Sequence, residues 1–130
     1  MTEPVHADVL SVRPSGDENV YQFNVEISSP DTGCDQYADW WEILSEDGKL
    51  LYRRVLLHSH VNEQPFSRSG GPVPITADDV VYIRAHMNTT GYGGQILRGT
   101  VSNGFEVFEM EESFAADVET MDPLPDGCAF

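Results

Sequence analysis

Apolar and polar residues alternate along most of this chain. The cleanest case is residues 19–28, where Tyr21, Phe23, Val25 and Ile27 alternate with Val20, Gln22, Asn24 and Glu26. A period of two predicts a strand with one buried face and one wet face. Ser29-Pro30-Asp31-Thr32-Gly33 then supplies turn chemistry that ends it. Residues 80–87 repeat the pattern, with Val81, Ile83, Ala85 and Met87 on one side and Tyr82, Arg84 and His86 on the other. A first strand is predicted over 5–13, stopped by Pro14-Ser15-Gly16.

Residues 38–45 and 50–57 flank Asp47-Gly48, a pair that favours a two-residue hairpin turn. In that register Glu42 faces Arg53, Trp41 faces Arg54, Trp40 faces Val55 and Tyr37 faces His58. Asp35 then lies opposite His60. A second hairpin is predicted for 96–102 and 105–110 around Asn103-Gly104, with Arg98 opposite Glu109. Residues 58–79 read as loop, with at most a short edge strand near 73–75, because Pro72 and Pro74 cannot donate to a ladder. Residues 113–119 suit one or two helical turns.

About seven or eight short strands separated by turns, with hardly any helix, predict an all-β chain. The expected architecture is a single antiparallel two-sheet β-sandwich. One domain spans 1–130, with an irregular acidic C-terminal tail over about 111–130. The stretch Ile75-Thr-Ala-Asp-Asp-Val-Val-Tyr-Ile-Arg-Ala-His-Met-Asn-Thr-Thr-Gly-Tyr-Gly-Gly resembles the penultimate strand and following loop of fibronectin type III domains. The likeness covers about 20 residues and departs from that pattern in the Ala85-to-Asn88 spacing, which is one residue longer. It implies an immunoglobulin-like sandwich, an architecture that hosts many functions.

Charge narrows the partners. Lys49 is the only lysine, and the formal net charge is −15. Phosphate binding needs Lys and Arg to displace counterions, so nucleic acid and anionic lipid surfaces are poor partners. Such a surface suits a protein that stays soluble in salt. From Glu106 onward come Glu109, Glu111, Glu112, Asp117, Glu119, Asp122 and Asp126, with no basic residue after Arg98. This run reads as a solvated, loosely packed tail. No apolar run is long enough to cross a membrane. The N-terminus lacks the basic start and apolar stretch of a signal peptide, which leaves the compartment open.

Cys34 and Cys128 are the only cysteines and are candidates for one disulfide. Closing a loop of about 95 residues stabilises by roughly 4–5 kcal/mol in the chain-entropy picture. Such a bridge points to an exported, periplasmic or cell-envelope protein, whereas in the cytoplasm the pair would stay as thiols.

His58-Ser59-His60 is the sharpest chemical candidate. Histidines at i and i+2 on a continuing strand project to one face and can share zinc or copper. Asp35 is the expected carboxylate partner, and Cys34, His86 and Met87 are further soft ligands. The competing reading is structural, with His58 bonded to Tyr37 and His60 bracing the next loop. Asp31, Asp35 and Asp39 lack EF-hand spacing and read as turn formers. Trp40 and Trp41 point to opposite faces. One belongs to the core, and the other is expected outward beside an arginine, covered by the 58–72 loop or exposed for binding. Trp41, Arg54 and Tyr92 are the candidate binding surface.

No HExxH, GxSxG, CxxC or Gly-rich phosphate loop is present. Cys34 has acidic neighbours, which disfavour a thiolate nucleophile. The expectation is therefore a non-enzymatic module without a cofactor, which binds a protein or other ligand through end loops. The alternative is a small zinc- or copper-binding protein using His58 and His60. The oligomeric state is left open.

Overall fold

A computed structural model describes residues 6–111 and 113–129; Val5 and Glu112, invoked above, lie outside them. The described chain is all-β, with eight strands in two antiparallel sheets. The strands are β1 (Asp8–Ser15), β2 (Tyr21–Ser28), β3 (Ala38–Ser45), β4 (Leu50–Val55), β5 (Phe66–Val73), β6 (Val81–Met87), β7 (Ile96–Thr100) and β8 (Gly104–Phe108). The small sheet has the order β1-β2-β5 and the large sheet β4-β3-β6-β7-β8. Their facing sides bury Val9, Phe23, Val25, Ile27, Trp41, Ile43, Val81, Ile83 and Met87 as one core. The alternation predicted for β2 and β6 places Phe23, Val25, Ile27, Val81, Ile83 and Met87 there.

The first hairpin reaches the predicted pairing by a different route. Trp41 faces Arg54 and Glu42 faces Arg53, yet Leu44 faces Leu50. Ser45 donates its backbone N–H to Lys49 O at 2.9 Å, so Glu46, Asp47 and Gly48 all sit in the turn. Gly48 takes φ +87°, the left-handed conformation such a turn needs. The ladder would then be out of step, and an extra residue at Leu51 restores it. Turn and bulge cancel.

Nothing cancels in the second hairpin. Thr100 faces Gly104 and Arg98 faces Glu106, so Arg98 does not oppose Glu109. Arg98 instead pairs with Glu46 at 3.1 Å.

The loop predicted over 58–79 contains β5, an eight-residue strand (Phe66–Val73) at the edge of the small sheet. Its Gly70 is required by close packing, because a Cβ there would lie 2.6 Å from the Tyr52 hydroxyl.

The tail is not loose. A 3-10 helix runs Ala116–Thr120 and buries Val118. Val118 plugs a second cluster with Leu44, Tyr82 and Ile96 on the outer face of the large sheet. Ala129 then donates to Leu57 O at 2.8 Å. Residues 113–129 thus form a strap across that face.

Candidate functional site

Two regions concentrate the chemistry: the face beneath the strap, and the end of the sandwich that carries the long loops.

Under the strap, β3, β4 and β6 each present an ionic side chain outward, and the three meet. Glu42 takes Arg53 on one oxygen, with Nε at 2.9 Å, and Arg84 on the other, with Nε at 2.7 Å. All three are buried, with Glu42 at 0% exposure. One carboxylate cannot satisfy two guanidiniums, so their remaining N–H groups turn to the strap. Arg53 donates to the carbonyls of Val118 (2.6 Å), Met121 (2.6 Å) and Pro123 (3.0 Å). Arg84 donates to those of Phe114 (2.8 Å) and Ala115 (2.9 Å).

Aromatic rings wall this cluster. The Arg53 guanidinium lies 4.2 Å from the Trp40 ring centre and that of Arg84 3.5 Å from Tyr92. His86 stacks on Trp40 at 3.7 Å. A β3 register shift between Ala38 and Trp40 brings Asp39 to the same side. The His86 ring therefore bridges two carboxylates, with Nδ1 2.6 Å from Asp39 and Nε2 2.7 Å from Glu119 of the strap. Burial, then the charge of Glu42, pushes the Tyr92 phenol above its ordinary pKa, keeping it neutral.

These positions correct the expected binding surface. Trp41 is fully buried between the sheets and Tyr92 is buried beside Arg84, so neither is available to a ligand. Arg54 is half-buried, and its Nε donates to Ser69 O at 3.0 Å. The outward tryptophan is Trp40, and Arg53 and His86 cover it rather than the 58–72 loop. The hairpin register predicts the Glu42–Arg53 pair; sequence reasoning missed that Arg84, His86 and Glu119 join it. The available signal was Glu42 and Arg84, each an ionic residue between apolar or aromatic neighbours in its strand.

The second region gathers loops 29–37, 56–65 and 88–95, with all four histidines at or near it. Cys34 and Cys128 form the predicted disulfide here, with Cα atoms 5.5 Å apart. Side chains lock the loops together. Asp31 accepts from Ser29 Oγ (2.7 Å), Ala38 N (3.0 Å) and His60 N (2.8 Å). Gln64 accepts from Ser29 N at 2.8 Å and donates to His60 O at 2.9 Å. Asn88 accepts from Tyr37 N at 2.9 Å and donates to the carbonyls of Cys34 and Asp35. Asp31 therefore acts as more than a turn former.

The His58 and His60 rings do come together, with centroids 4.5 Å apart. The rest of the expected constellation does not form. The β3–β4 ladder stops at Trp40 and Val55, so Tyr37 does not face His58 and Asp35 does not face His60. Asp35 is exposed in its turn, and the carboxylate near His60 is Asp31, 4.0 Å from Nδ1. His60 stacks on Phe66 at 3.9 Å, and neither ring nitrogen has a hydrogen bond. Among the described residues, no three His, Cys, Asp or Glu side chains are grouped to hold a metal.

No protein-family model matches the chain, and no solved structure matches it. The chain is similar to a protein of Halomicrobium mukohataei described as a "Putative lipoprotein", with 41% identity over 76 residues. That match covers 58% of this chain and 37% of the relative, so the chain spans little more than a third of the relative it matches.

Burial, then the charges of Arg68 and His58, holds His60 below its ordinary pKa of 6.5. The unfolded chain takes up the proton first as pH falls. The contribution of neutral His60 is therefore complete above pH 6.5 and is lost as pH drops toward the folded value. Urea midpoints measured from neutral pH down to about pH 5 should fall less in His60→Phe than in the wild type. Parallel curves would contradict this assignment.

Proposed function

We propose that this chain is an exported, cell-envelope, non-enzymatic module that binds a protein partner through its loop-bearing end. The observation that carries the reading is the pinning of that end. Asp31, Gln64, Asn88 and the disulfide fix the loops, while Leu57 and Val61 stay 63% and 48% exposed. Rigid loops displaying apolar side chains lose little entropy on binding. The opposite end, with the turns at 16–20, 46–48 and 101–103, exposes Val20, at 55%.

The compartment rests on two supports, a disulfide of the kind that persists outside the cytoplasm and a relative described as a lipoprotein. The sandwich is read as immunoglobulin-like. Its supports are the orders β1-β2-β5 and β4-β3-β6-β7, which parallel strands A-B-E and C′-C-F-G of that architecture, with β8 added at the edge. A photo-crosslinking residue at Leu57 or Val61, in cells that make the protein, should capture one defined protein. The same residue at Asp47 or Asn103 should not. Equal capture from both ends, or none from Leu57 and Val61, would refute the reading.

A second reading is metal binding at His58 and His60. It is favoured by the 4.5 Å ring separation and by His60 being held neutral, the form that ligates. Zinc or copper(II) at micromolar levels should then shift the ring signals of His58 and His60 selectively, and His60→Phe should abolish the shift. Uniform silence across the four histidines would remove this reading.

A further inference from the structure

The strap is held by contacts of a kind that any suitably folded peptide can make. Five backbone carbonyls face two guanidiniums, one aliphatic side chain fills a hollow, one carboxylate meets His86, and one disulfide closes the end. The receiving side is organised by the sheet itself, because Glu42 of β3 aims Arg53 and Arg84 from the neighbouring strands. Trp40 and Tyr92 hold those guanidiniums flat against the face. This makes a peptide-binding groove that the chain fills with its own C-terminal segment.

We propose that this groove is also an interaction surface for the C-terminal segment of a second copy of this chain, which enters when the Cys34–Cys128 bond is open. Every anchor lies within 113–129 on one side and β3, β4, Leu57, β6, β7 and the Cys34 turn on the other. None of them requires both sides to belong to one molecule. Without the disulfide, the strap is joined to the sandwich only through the chain after Phe108. Reciprocal exchange between two copies keeps all the anchors and closes a two-fold dimer. The occupant fits because it is the same sequence in the same groove. The strap bears Asp117, Glu119, Asp122 and Asp126, and salt screens their repulsion as two acidic copies approach.

The exchange leaves a covalent record. When the thiols reoxidise, Cys34 of one copy bonds to Cys128 of the other. The two electrons and two protons pass to one glutathione disulfide, giving two glutathione thiols.

The test uses the intact wild-type chain. Equal amounts of 14N- and 15N-labelled protein are reduced under native conditions in high salt, concentrated, reoxidised with glutathione disulfide and digested. Exchange predicts Cys34–Cys128 peptide pairs of mixed isotope. Their share should rise with protein concentration toward about half of all pairs. Cys34–Cys34 and Cys128–Cys128 pairs should stay at background. Same-isotope pairs alone at every concentration would overturn the proposal. So would mixed pairs spread statistically over the three combinations, because that spread marks random collision.

Discussion

The organisation of this protein depends on one buried carboxylate shared between two guanidiniums. Glu42, Arg53 and Arg84 come from adjacent strands of the large sheet and lose almost all contact with water. Burying three charges is costly, and attraction within the group repays it only if the remaining donors and lone pairs are satisfied. One acid against two bases leaves a positive surplus. The strap answers it with carbonyl oxygens, while Glu119, one residue beyond Val118, meets His86. A guanidinium suits this role because its donors fan out in a plane and it never loses its charge at accessible pH. The need to cover these arginines, together with the Val118 plug, explains why an acidic tail folds back onto an acidic protein.

That arrangement reorders the outer face of the large sheet. In most antiparallel sandwiches this face meets water. Here it carries a second apolar cluster, a histidine between two acids and a stacked tryptophan, all beneath seventeen residues of strap numbered 113–129. The exposed chemistry is thereby moved to the loop end, where the disulfide ties the strap to the turn before β3. The two regions are mechanically joined, since Cys34 shares its loop with Asp31 and the carbonyl of Cys34 accepts from Asn88.

Much of the fold was legible because period-two alternation survives wherever one face of a strand is buried. β2, β3 and β6 were placed to within a residue or two, and the Trp41–Arg54 pairing was read correctly. It was read correctly for an incomplete reason, since a longer turn and a bulge cancelled. β5 was missed because its Gly70-Gly71-Pro72 run carries turn chemistry, and its strand character comes from pairing with β2. The strap was missed for a related reason. Its anchors are its own carbonyls, which have no side-chain signature, and acidic residues in a Pro-rich stretch look like solvated tail. The disulfide was legible from cysteine count alone. The loss of Trp41 and Tyr92 as surface candidates follows from a layer that local pattern does not encode: which sheet face a distant segment will cover.

The central claim is that Glu42 organises the groove that holds the strap. It is tested most directly by the unfolding free energy of Glu42→Gln in urea, since this change keeps the shape and removes the charge. Leaving two guanidiniums buried without their shared partner should cost about 3–5 kcal/mol. A loss within about 0.5 kcal/mol of wild type would contradict the account, because changes of that size are typical of surface positions with no buried partner.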